Sequence, residues 1–130
     1  MHKAVIYTDG GASPNPGPAS IGAVIKDENG VVGGLISKPI GRATNNEAEY
    51  RAVIAALEMA SNLGAKQVEL RSDSELLVRQ INGQYKVKAA GIRPLYVSVK
   101  QLQEKFDKCV FKHIPRELNE AHELADCRDH

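Results

Sequence analysis

The sequence predicts an α/β domain built on a mixed five-stranded sheet, three antiparallel strands and then two parallel ones, flanked by helices. Three observations carry that expectation. Two apolar runs, 20–26 and 31–38, flank Asp27-Glu28-Asn29-Gly30, and Asn-Gly is a strong hairpin signal. Residues 3–9 are too apolar throughout for an edge strand, which places them at the centre of the sheet. After residue 44, segments of helical and strand period alternate, as helix-linked strands require. The chain of 130 residues, 42% hydrophobic and 25% charged, suits one domain over 1–130 with a modest core.

In chain order, Lys3 to Asp9 forms the first strand, with Asp9 ending it. Gly10-Gly11-Ala12-Ser13-Pro14-Asn15-Pro16-Gly17-Pro18 is a dense run of turn formers, and the hairpin follows it. Thr44 or Asn45 caps a helix that runs to about Asn62 and stops at Gly64, with Val53, Ala56, Leu57, Ala60 and Leu63 as its apolar stripe. Residues 66–72 alternate as a fourth strand, and Asp73-Ser74 cap a short helix to about Ile81. Residues 93–106 are expected as another helix, 109–113 as the fifth strand and 117–126 as a final helix.

Net charge is +1, but residues 76–103 carry Arg79, Lys86, Lys88, Arg93 and Lys100 with no Asp or Glu, and hold Tyr85 and Tyr96. Such a stretch is either a solvated helix face with a basic loop or a surface that follows a phosphate backbone. No apolar stretch approaches the ~18 residues of a bilayer span, and Met1-His2-Lys3 leads into no secretory segment, so a cytoplasmic monomer without a membrane partner is expected. Cys109 and Cys127 are too few for a disulfide scaffold and too far apart for a CxxC site; they are two ordinary thiols or a late bridge between the last strand and the final helix.

The carboxylates carry the chemistry. Asp9 and Asp73 each close a strand, and they emerge at one sheet edge if those strands are parallel neighbours. Singly, Asp9 is a turn residue and Asp73 a helix cap. Glu49 lies four residues before Val53 and seven before Ala56, on the stripe that faces the sheet, whereas Glu47, Arg51 and Glu58 take the outer face. A buried Glu needs a partner or becomes neutral. A divalent cation shared with Asp9 and Asp73 satisfies all three, and hard oxygen donors suit Mg²⁺ or Mn²⁺.

Four segments, Ile6-Tyr7-Thr8-Asp9-Gly10-Gly11-Ala12 with Asn15-Pro16-Gly17-Pro18, Thr44-Asn45-Asn46-Glu47-Ala48-Glu49, Ser72-Asp73-Ser74, and His113-Ile114-Pro115-Arg116 with Asn119, together resemble type 1 ribonuclease H in their order. The resemblance implies the ribonuclease H-like fold and an RNA–DNA hybrid as substrate, with Asp9, Glu49 and Asp73 in a site for two metal ions when substrate is bound. Asn15, Thr44, Asn45 and Asn46 resemble positions that hold the nucleic-acid backbone, with Gly10, Gly11 and Ser74 beside them; Asn15 is equally a turn residue and Thr44 or Asn45 a helix cap. His113 and Arg116 fall in a loop that helps proton transfer or product release in the family. Tyr85, Lys86 and Lys88 fall where longer members grip the DNA strand, although here that segment is short and lacks Trp.

The last segment departs from the family pattern, which closes on an aspartate. Alignment on Ala121 and Leu124-Ala125 sets His122 there; rigid counting from Asn119 sets Glu123 there, and Asp126 lies one turn beyond His122. His122 is the favoured fourth ligand, and imidazole ligates Mn²⁺ better than Mg²⁺. Two functions follow from the resemblance: an endonuclease that cuts RNA in hybrids, or a hybrid- or duplex-binding module whose turnover is weakened at that fourth position.

Overall fold

The computed structural model describes residues 1–129, with side chains through Asp126. Its strands are β1 (Lys3–Ala12), β2 (Gly17–Lys26), β3 (Val32–Ala43), β4 (Gln67–Ser72) and β5 (Lys108–His113). The helices are α1 (Asn45–Asn62), α2 (Glu75–Ile81) and α3 (Arg93–Gln103). Sheet order is β3-β2-β1-β4-β5, antiparallel across β3-β2-β1 and parallel across β1-β4-β5. That is the mixed sheet the sequence predicts, with β1 central.

The main core lies between the sheet and the helices, where Ile6, Ile21, Ile25, Val68 and Leu70 meet Tyr50, Val53, Leu57, Leu77 and Val99. Tyr50 is fully enclosed and its hydroxyl donates to Gln80 Oε1 at 2.6 Å, which ties α1 to α2 without an unpaired polar atom. A smaller cluster of Tyr7, Val24 and Ala121 fills the opposite face of the sheet. No helix among the described residues is long and apolar enough to cross a membrane.

Thr44, not Asn45, is the cap of α1: its side chain accepts from Glu47 N at 3.1 Å, and Glu47 Oε1 accepts from Thr44 N at 2.8 Å. Glu47 therefore folds back onto the helix end and does not extend from the outer face. At the other end Leu63 closes the helix and Gly64 takes φ +84, a conformation suited to glycine. The hairpin turn works the same way, with Gly30 at φ +80 and Asp27 Oδ1 accepting from Asn29 N and Val31 N.

Three expectations are corrected. Asp9 does not end β1, which continues through Ala12 with Gly10 opposite Ile21 and Ala12 opposite Ala19. Helix α3 stops at Gln103, three residues before the expected end, and successive turn hydrogen bonds carry the chain to Phe106. Residues 117–126 do not form an α-helix; they form short 3-10 turns at Arg116–Leu118 and Leu124–Asp129. Here Asn119 Oδ1 takes the Ala121 amide at 3.0 Å, and hydroxyls of β2 and β3 take the Ala125 and Leu124 carbonyls. Those side chains outcompete an α-helical ladder. The expected Cys109–Cys127 alternative involves a side chain outside the described residues.

Gly10 shows why β1 keeps pairing beyond Asp9. A Cβ there would stand 2.5 Å from the Ala48 carbonyl oxygen, so only glycine lets the strand run beneath the start of α1. Gly10→Ala is expected to cost about 2–3 kcal/mol of stability by overpacking a backbone contact. Urea unfolding checks this: the midpoint should fall while the slope with denaturant stays constant.

Candidate active site

The last parallel pair between β1 and β4 is Thr8 opposite Ser72, so Asp9, still paired with β2, and Asp73, just past the end of β4, stand side by side. Close approach of α1 to Gly10 carries Glu49 over the same edge. Carboxylate oxygens of Asp9, Glu49 and Asp73 all lie within 4.8 Å of one another, which makes them the group able to hold a metal among the described residues.

Few protein donors reach this cluster. Asp9 Oδ1 accepts from Gly10 N at 3.0 Å, and Asp9 Oδ2 meets His122 Nδ1 at 3.0 Å. Asn119 Nδ2 donates to the Thr8 carbonyl at 2.9 Å and reaches Asp73 Oδ2 at 3.3 Å. Glu49 Oε2 is buried and has no hydrogen-bond partner among the described residues. Asn119 belongs to the motif that carries the resemblance but has no role assigned from the sequence, because that role depends on a contact 111 residues away in the chain. Its place between a Pro-Arg turn and Ala121 is the signal that marks it.

An open groove of about 430 Å³ runs past the cluster, walled by Gly10, Gly11, Asn45, Glu49, Arg116, His122 and Asp126 as well as Asp9. His122 and Asp126 thus both reach the groove, although the segment is not α-helical; Glu123 is exposed and does not line it. Asn45 Oδ1 accepts from Ala12 N at 2.7 Å, and Asn15 Oδ1 accepts from Asn45 N at 3.0 Å, so these two amides clamp the loop after β1 to the start of α1. Thr44 and Ser74 spend their hydroxyls as caps, and Asn46 is exposed beside them. His113 ends β5, exposed and outside the groove. Tyr85, Lys86 and Lys88 are exposed elsewhere, where Tyr85 and Lys86 line a second cavity with Arg93 and Tyr96, and Arg79 stacks 5.3 Å from the Tyr85 ring.

Comparison with known proteins supplies the family. The reverse transcriptase-like family model matches residues 7–127. Ribonuclease HI of Halobacterium salinarum is 41% identical over 114 residues, 88% of this chain and 57% of that one. A bifunctional protein of Mycobacterium tuberculosis is 42% identical over 118 residues, and this chain spans 32% of its length. The solved N-terminal RNase H domain from Mycobacterium tuberculosis superposes with a TM-score of 0.92 at 42% identity, covering 95% of this chain and 96% of that one. The chain belongs to the type 1 ribonuclease H family. An RNase H1 solved in complex with an RNA/DNA hybrid is 46% identical, with a TM-score of 0.89 over 95% of this chain and 94% of that one.

In this ribonuclease H family member the electrostatics match the geometry. Burial pushes the Asp9 carboxyl above its ordinary range, with the Asp73 charge adding to it, while the His122 hydrogen bond opposes the rise. Burial, then the charges of Asp9 and Asp73, hold Glu49 well above the ordinary carboxylate range, against a smaller pull from Arg116. Carboxylate oxygens crowded around a partnerless buried oxygen are a donor set that fits a hard divalent cation.

A carboxyl held above its unfolded value favours its protonated form in the fold. The metal-free fold therefore loses stability as pH rises through the interval between the two values. Glu49→Gln is accordingly expected to raise the melting temperature of the metal-free protein at pH 7.5 by roughly 3–5 °C, or about 1 kcal/mol. Calorimetry in a chelator checks this, with the gain shrinking towards about pH 4, where an unfolded Glu also becomes protonated. Added Mg²⁺ should raise the melting temperature of the native sequence more than that of the variant.

Proposed function

We propose that this protein is a divalent-metal-dependent endonuclease that hydrolyses the RNA strand of RNA–DNA hybrids. The observation that carries this reading is the convergence of Asp9, Glu49 and Asp73 into one cluster beside the groove, with Glu49 Oε2 buried and unpartnered. A binding surface for phosphates gains nothing from three carboxylates, since they repel the ligand unless cations intervene. The hybrid in the complex of the related RNase H1 supports the substrate class.

Asp9, Glu49 and Asp73 would hold two Mg²⁺ or Mn²⁺ ions, with His122 as the fourth ligand. When bound, such ions supply Lewis-acid stabilisation to a scissile phosphate and lower the pKa of the attacking water. The chain's own residues supply the arrangement. Gly11 keeps that side of the groove free of a side chain next to Asn45, while Gly10 lines it with backbone alone, so a sugar-phosphate chain can approach Asp9. Asn45 uses its carbonyl oxygen on Ala12, which leaves its amide nitrogen as a donor for a phosphate or a 2′-hydroxyl. The start of α1 adds its helix dipole in favour of phosphate at that point. Arg116 also lines the groove, as a cation for the same backbone. His122 spends Nδ1 on Asp9, leaving Nε2 to bind an ion or carry a proton. Tyr85, Lys86 and Lys88 would take the DNA strand by stacking and charge.

The deciding experiment is cleavage of a labelled hybrid in Mg²⁺ and in Mn²⁺, with single-stranded RNA, duplex RNA and duplex DNA as controls. Hybrid-only cleavage is expected, faster in Mn²⁺. Asp9→Asn should lower the rate by about 10³-fold or more while hybrid binding persists, a loss of several kcal/mol of transition-state stabilisation. Bound hybrid with no cleavage in either metal would instead make the protein a binding module. The double variant Lys86→Ala/Lys88→Ala should weaken hybrid binding and flatten its dependence on log salt by roughly 1.8, measured by anisotropy titration across a salt series.

A further inference from the structure

The segment carrying His122 takes its shape from the sheet beneath it. Ser37 Oγ on β3 donates to the Leu124 carbonyl at 2.6 Å, and Ser20 Oγ on β2 donates to the Ala125 carbonyl. Gly22 on β2 leaves the space in which the segment sits. A Cβ there would stand 2.6 Å from Ala125 N and 2.9 Å from the Ala121 carbonyl oxygen. Ala121 is 0% and Ala125 5% exposed, so both are pressed into this seat. Ser37 lies outside the groove and is exposed; its hydroxyl is joined to the segment two residues after His122.

We propose that Gly22 and Ser37 are positioning residues that set where His122 stands over Asp9, an inference that rests on the hybrid-cleaving reading above. A run of 3-10 turns makes few and poorly directed internal hydrogen bonds, so outside contacts decide its rotation. On the inner side Asn119 anchors the segment to Thr8 and Asp73; on the outer side Ser37 and Gly22 hold Leu124 and Ala125. His122 lies between these anchors, and its contact with Asp9 follows from both. Releasing the outer anchor lets the turn rotate and draws the imidazole off Asp9, and displacement of a catalytic group by about 1 Å costs up to 10²-fold in rate.

A double-mutant cycle on the full chain tests this. Ser37→Ala should lower kcat for hybrid cleavage roughly five- to tenfold at unchanged KM, Ser37→Thr should restore it, and Ser37→Ala should cost nothing further once His122 is already Ala. Equal losses in both backgrounds would overturn the proposal, since an ordinary packing role acts regardless of His122. Gly22→Ala is the harsher variant and should follow the same rule. A second readout needs no turnover: the His122 ring signals in ¹H–¹⁵N spectra of the metal-free protein should move in Ser37→Ala and return in Ser37→Thr. Unmoved ring signals overturn the positioning role. Absence of cleavage by the native sequence overturns only the proposed function, and the ring signals still decide whether Ser37 sets His122.

Discussion

The parallel register that sets Thr8 beside Ser72 brings two aspartates together where β4 ends and β1 runs on, and the rest of the site is built around that fact. Pairing alone delivers Asp9 and Asp73; the third carboxylate needs α1 close to the strand. Gly10 permits that approach, because no other residue fits beneath the Ala48 carbonyl. The capping box at Thr44 and the amide clamp of Asn15 and Asn45 then fix where the helix starts, and with it the height of Glu49 above the sheet. A helix begun one residue later would turn Glu49 by about 100° away from its neighbours.

This arrangement works against the stability of the metal-free chain. Three carboxylates within a few ångströms repel one another and lose hydration, and Gly10 N, Asn119 and His122 compensate only part of that cost. The compensation comes from the sheet edge and the 3-10 segment, whereas the helical side brings Glu49 in without a donor for Oε2. Such an imbalance is the ordinary mark of a functional site, where local geometry serves a ligand at the expense of the empty fold.

Much of this was legible in the residues. The hairpin at Asn29-Gly30, the helix from Thr44 to Asn62, the strand before Asp73 and the inward face of Glu49 all follow from local signals: a turn dipeptide, a cap, an alternation and an apolar stripe. Two of the misreadings share one cause. Gly10 and Gly11 look like a turn because glycine usually marks one, but they continue a strand that must pass under a helix. Residues 117–126 look helical because the apolar spacing is right, but Ser20 and Ser37 claim two of their carbonyls from elsewhere in the chain, and Asn119 takes the Ala121 amide from within the segment. Asn119 itself carries part of the family resemblance but receives no role from the sequence for the same reason. Contacts made across a hundred residues leave no periodicity to read.

That separation has a consequence for when the protein can act. The Asp9–His122 contact joins residues 113 apart, and Asp9 and Asp73 meet only through a pairing that encloses α1. No fragment shorter than nearly the whole described chain contains the constellation. During synthesis the acidic residues emerge one by one, with intervals in which none has its neighbours, and long-range pairing of this kind forms late in folding. Loss of α1, which carries Glu49, or of β4, which leads to Asp73, likewise dissolves the constellation, which therefore belongs to the finished fold and to no partial one.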